Sequence, residues 1–175
     1  DGTWEGTTTT LTGMTGGETA LAALALLEAG VPPADPALAK AAAYLATLPP
    51  ERTYVVGLRT RVLARAAPKV YAAHIQDNAD WLVARGVGLA RGRLDGWTYQ
   101  EPAALADGSN THFAVFGLDA AASAGAKVHP DVWAAVRDLY VRPRRPAGWT
   151  YVTAVGEATP TYAMTAAALV TGWGF

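Results

Sequence analysis

The chain has 175 residues, 51% of them hydrophobic, and a formal net charge of −1. That is enough apolar material for one buried core, hence for a single domain over residues 1–175, and the near-neutral balance offers no basic footprint for nucleic acid or an acidic membrane. The absence of cysteine excludes disulfides, thiol catalysis and thiolate metal sites; no apolar run reaches the roughly 18–20 residues of a membrane span, and no signal peptide is legible, so the compartment stays open.

Residues 7–13, rich in threonine and closed by Gly13, are expected to form a loop. The first helix is predicted over 17–29. It is Ala and Leu almost throughout, stops at Gly30, and being apolar all round should be buried on every side. Asp35-Pro36 opens the second helix, with Asp as N-cap and Pro at the first helical position; Leu38, Ala41, Ala42, Leu45 and Leu48 give it one buried face before Pro49-Pro50 end it. Thr53 opens the third, with Val55, Leu58, Val62 and Ala66 on one stripe and Arg59, Arg61 and Arg65 beside it.

The fourth helix is expected to start at Pro68, packing Tyr71, Ile75 and Leu82 and leaving His74, Asp77, Asn78 and Arg85 as polar positions. Residues 86–94, with three glycines, read as a loop. The fifth helix is predicted over 110–124, opened by Ser109-Asn110-Thr111 and stopped by Gly125. The sixth begins at His129-Pro130-Asp131 and buries Val132, Val136 and Leu139 or Tyr140, and the seventh runs over 161–171.

One order recurs: a Gly-Trp turn, a long loop, then an apolar helix. It is written in Asp95-Gly96-Trp97-Thr98-Tyr99, in Gly148-Trp149-Thr150-Tyr151 and, degenerately, in Asp1-Gly2-Thr3-Trp4. Repetition of one supersecondary unit implies copies stacked on one another. The first, fifth and seventh helices are apolar all round and the third nearly so, whereas the second, fourth and sixth start at proline and are amphipathic. The expected fold class is therefore all-α, a partial α/α toroid of about seven helices in alternating inner and outer layers.

These Trp turns, with the Arg-Pro segment Arg142-Pro143-Arg144-Arg145-Pro146, resemble degenerate Gln-Trp repeats of terpene cyclases and prenyltransferases. Gly17-Glu18-Thr19-Ala20-Leu21 and Asn110-Thr111-His112-Phe113-Ala114 resemble inner-helix openings of the bacterial prenyltransferase/squalene-oxidase-repeat proteins. The resemblance implies a toroid and says less about activity. The Gln of the repeat is missing, the Asp-x-Asp-Asp acid motif of squalene-type cyclases is absent from these residues, and there is no Cys for zinc of the protein-prenyltransferase kind. Complete toroids of that family close with more helices than seven, so a homodimer across the open helix edges is the expected remedy for exposed apolar flanks.

Stacked helical pairs bring all inner-helix starts to one end. Glu5, Glu18, Trp97, Tyr99, Glu101, Asp107, Ser109, Asn110, His112, Trp149, Tyr151, Glu157 and Tyr162 should gather there, and the leading expectation is a site for a small apolar or aromatic molecule with no cofactor. Trp97, Tyr99, Trp149, Tyr151, Tyr162, Glu18 and Glu157 are its candidate lining; the tryptophans also fit as wedges between helix pairs, and Glu18 and Glu157 as partners of helix dipoles. The alternative is a hydrolase of esters or phosphoesters with His112 as general base beside Glu101 or Asp107, and Ser109 as the better-spaced nucleophile. Ser123 is the other serine on the His112 and Asp119 stripe, but seven residues put His112 roughly 10 Å from Asp119. His74 and Asp77 make two metal ligands without a third, and Arg61 and Arg65 are spaced to hold an anion or to pair with surface acids. A non-catalytic protein-interaction module is the third possibility.

Overall fold

The computed structural model describes residues 2–7, 13–99, 105–141, 148–151 and 159–172. Among these residues the protein is all-α, with seven helices and no sheet: α1 (Gly17–Glu28), α2 (Pro36–Thr47), α3 (Thr53–Ala66), α4 (Ala72–Ala84), α5 (Gly108–Ser123), α6 (Pro130–Val141) and α7 (Tyr162–Gly172). A short 3-10 turn, Leu89–Arg91, interrupts the expected loop between α4 and α5. No helix of the described residues is long and apolar enough to cross a membrane.

Side-chain caps explain two of the starts among the described residues. Asp35 accepts from the Ala37 N–H at 2.8 Å ahead of Pro36, and Asp107 accepts from the Asn110 N–H at 2.8 Å, each satisfying a donor that a helix start leaves open. Helix α4 begins at Ala72 and not at Pro68, because residues 68–70 are used in a turn in which Val70 and Tyr71 both donate to the Ala67 carbonyl.

The packing separates odd helices from even ones. Helices α1, α3, α5 and α7 contact each other in that sequence, α3 against α5 most extensively, while α2 lies on α1 and α3, α4 lies on α3 and α5, and α6 lies on α7. Side chains of α6 (Val132, Val136 and Leu139) also join those of α5 (Val115 and Leu118) in one apolar cluster. A second cluster joins Ala20, Ala23 and Leu24 of α1 to Leu38 and Leu45 of α2 and Leu58 and Val62 of α3. The tightest crossing is made by glycine. A Cβ on Gly57 of α3 would stand 2.2 Å from the Phe113 carbonyl oxygen, and one on Gly117 of α5 would stand 2.7 Å from the Gly57 Cα, so the two backbones touch where no side chain fits.

Of the helices expected to be buried on every side, α5 is so apart from Asp119 and Ser123, whereas α1 and α7 are not. Glu18, Leu21, Ala25 and Glu28 form an exposed stripe on α1, and Leu169 and Val170 are exposed on α7. The physical reason is that the even helices pack over the row where the two apolar clusters lie and leave this stripe uncovered.

Candidate functional site

The Trp97 and Trp149 turns tie neighbouring helices together through the same three bonds. Gly96 and Gly148 adopt φ values of 121° and 116°, a backbone region that favours glycine, and so set the turn. The Trp97 N–H then donates to Thr111 Oγ1 on α5 (3.0 Å), and the Trp149 N–H to Thr165 Oγ1 on α7 (3.1 Å). Two residues on, the carbonyl of Tyr99 accepts from the Thr53 N–H at the start of α3 (3.4 Å), and that of Tyr151 from the Gly108 N–H at the start of α5 (2.5 Å). The indole N–H reaches back to the preceding even helix, Trp97 to the Leu82 carbonyl (2.7 Å) and Trp149 to the Tyr140 carbonyl (3.2 Å). At the first turn, among the described residues, the threonine bond recurs, from the Trp4 N–H to Thr19 Oγ1 at 2.9 Å. Thr19, Thr111 and Thr165 were not singled out by sequence reasoning; a threonine 15, 14 and 16 residues after the respective tryptophan, early in the helix that follows, is the signal that would have found them.

This stapling delivers four of the candidate residues to one place. Ser109 Oγ donates to Asp107 Oδ1 at 2.8 Å and lies 3.5 Å from the Tyr151 hydroxyl, and the Tyr99 phenol neighbours both Tyr151 and Ser109. Burial first, then the neighbouring Tyr151, hold the Tyr99 phenol above its ordinary value, so it stays a protonated donor at neutral pH. The two rings remain 40% and 44% exposed. Asn110, directly behind, donates from Nδ2 to Asp107 Oδ2 at 2.9 Å, and among the described residues its enclosed Oδ1 accepts nothing.

One helical turn along α5 from Ser109 the surface becomes aromatic. The His112 ring stacks on Phe116 with centroids 5.5 Å apart, the Phe113 ring meets Tyr54 of α3 edge-on at 4.6 Å, and the Arg61 guanidinium lies over Phe116 at 3.8 Å. Arg65 and Arg61 reach Glu28 of α1 at 2.7 and 3.8 Å, and the Ala167 backbone of α7 hydrogen-bonds His112. These contacts run across all four odd helices on the side that carries the exposed α1 stripe. Burial lowers the His112 pKa, and the bond to the Ala167 backbone opposes that shift without cancelling it.

The remaining candidates are placed as follows. Trp97 is wholly buried and acts as a wedge, so a ligand cannot touch its ring. Trp149 is half-buried and lines a cavity of about 30 Å³, room for about one water. Tyr162 stands 97% exposed at the start of α7. Glu18 accepts from the Gly6 N–H at 2.5 Å and so fastens the N-terminal loop to α1. Glu101 and Glu157 lie outside the described residues. Asp107 has its carboxylate engaged by Ser109 and Asn110, and Ser109 bonds it directly and not through an intervening His112. Among the described residues no three His, Asp or Glu side chains gather to hold a metal.

No family model, no curated protein and no solved structure matches the chain. What the geometry defines is a class: among the described residues, an all-α protein of seven helices in which α1, α3, α5 and α7 contact each other in succession and each even helix packs against odd ones.

Proposed function

We propose that the row of odd helices is an arc of an α/α toroid of the terpene cyclase and prenyltransferase type, and that its unclad side binds a small apolar or aromatic molecule near the loop end. The observation that carries this reading is the convergence of Tyr99, Ser109 and Tyr151, from three separate segments, one helical turn from the ring stack of His112 and Phe116. Half-exposed phenols beside half-buried rings offer both an apolar contact and a hydroxyl to orient a ligand. The cavity at Trp149 is far below the roughly 300 Å³ of an ordinary ligand pocket, so the ligand lies against the side of the row and not inside it.

A fluorescence titration with 2-naphthol tests the reading. Saturable binding to the wild type is expected, with the affinity of Tyr151→Ala reduced roughly tenfold, the scale of one aromatic contact, and its melting temperature unchanged because the ring is part-exposed. A wild type that does not saturate would overturn the reading, as would equal affinities. A second copy laid across the open helix edges is the partner this arc calls for, and the observation that favours it is the exposed pair Leu169 and Val170 on α7.

A further inference from the structure

On the clad side of the row a different set of groups surrounds a cavity of about 110 Å³ between α2, α3 and α4. Leu45, Leu48 and Leu63 form apolar wall, Arg59 and Asn78 are buried in it, and the exposed His74 and Asp77 stand at its rim. Arg59 is only 4% exposed. Its Nε donates to Asn78 Oδ1 at 3.1 Å, Nη1 donates to the carbonyls of Leu48 (2.6 Å) and Pro49 (3.1 Å), and Nη2 donates to Asn78 Oδ1 again. All of these acceptors are neutral. Of five guanidinium N–H groups, one on Nη2 remains, and the buried charge has the carbonyls at the end of α2 while no carboxylate among the described residues bonds it.

Asn78 is in a matching position. Because an arginine can only donate, the amide oxygen must be the atom facing Arg59, which fixes Nδ2 on the other side. That Nδ2 is enclosed and has no acceptor, in a side chain only 2% exposed. Among the described residues, one cavity is therefore lined by a cation that no carboxylate contacts, Asp77 standing exposed at the rim, and by an amide nitrogen without an acceptor.

We infer that this cavity binds a small aliphatic carboxylate, one oxygen accepting from the spare Nη2–H of Arg59 and the other from Nδ2 of Asn78. The leucine walls call for an apolar tail, and a volume of roughly three to four waters limits it to a few carbons. A phosphate dianion suits the site less well, since a single arginine faces it and the Asp77 carboxylate stands at the mouth. Burial lowers the Arg59 pKa to about 10, which leaves the guanidinium charged at neutral pH.

The test is thermal unfolding of the chain in sodium propionate against sodium chloride of equal ionic strength, with sodium phosphate as a third arm. The wild type should show a saturable rise of a few degrees in propionate that neither other salt produces. Asn78→Asp keeps the oxygen that Arg59 binds and adds the missing negative charge, so it should be more stable than the wild type and lose the propionate response by roughly tenfold or more in apparent affinity. Propionate no better than chloride, a response to phosphate alone, or an equal response in Asn78→Asp would each overturn the inference. Independently of any variant, the Arg59 Nε–H resonance of the wild type must move with propionate along the same saturation curve; a resonance that stays fixed would also overturn it.

Discussion

His112 loses solvent to the Phe116 ring beneath it, and its imidazole is therefore held below the ordinary value of 6.5. The sign of the effect on stability follows. Below 6.5 the unfolded chain takes up a proton that the folded chain refuses until its own lower pKa is reached, so stability is fully present above 6.5 and falls with pH through that window. Urea unfolding should lose free energy more steeply below pH 6.5 in the wild type than in His112→Gln; equal slopes would contradict the burial argument. Thr111 is the second residue to test, because its Oγ1 accepts the buried Trp97 N–H and donates to the Asp107 carbonyl at 2.6 Å. Thr111→Val keeps the shape and orphans the Trp97 N–H, for an expected loss of about 1–3 kcal/mol by denaturant unfolding. The tryptophans were legible because their turns repeat in the sequence. The threonines that receive their N–H groups were hidden as ordinary helix-start residues. The three arginines of α3 were hidden differently, since polarity alone grouped Arg59 with Arg61 and Arg65. Two residues along a helix reverse direction, and that turns Arg59 inward to Asn78 while Arg61 faces Phe116.

Between elements, the contact of α3 with α5 has no side-chain buffer at Gly57 and Gly117. Gly57→Ala gains up to about 1 kcal/mol of helix propensity and pushes a methyl into a backbone carbonyl that cannot rotate away. The steric term wins, and a net destabilisation of about 1–3 kcal/mol in the urea midpoint is expected; an unchanged or raised midpoint would show that the helices separate freely. Helix existence was legible from apolar spacing, and the starts at Asp35-Pro36 and Pro130 from their capping chemistry. The start of α4 was not, because Pro68 fits a first helical position and a turn equally well, and the choice between them is made by the Ala67 carbonyl. Nor could sequence place Gly57 and Gly117 against each other, since the register between two helices is fixed by packing.

For the whole molecule, the all-α class was legible in the helical spacing and capping of the sequence, and α1, α3, α5 and α7 contact each other in succession; the alternation of apolar and amphipathic helices was the sequence signal for two kinds of helix. It also led to the expectation of full burial for α1, α5 and α7, which failed at α1 and α7 because composition cannot tell a helix enclosed on all sides from one with a single open flank. The exposed Leu169 and Val170 make association testable: multi-angle light scattering should give twice the monomer mass, and a monodisperse monomer at high concentration would leave the open edge without its second copy. The proposed binding side is the unclad side of the row. Its direct test is a map of backbone and ring chemical shifts during titration with 2-naphthol. The expected result is saturable change at Tyr54, Tyr99, Phe113, Phe116 and Tyr151, with α2, α4 and α6 undisturbed; shifts centred on those even helices, or none that saturate, would contradict it.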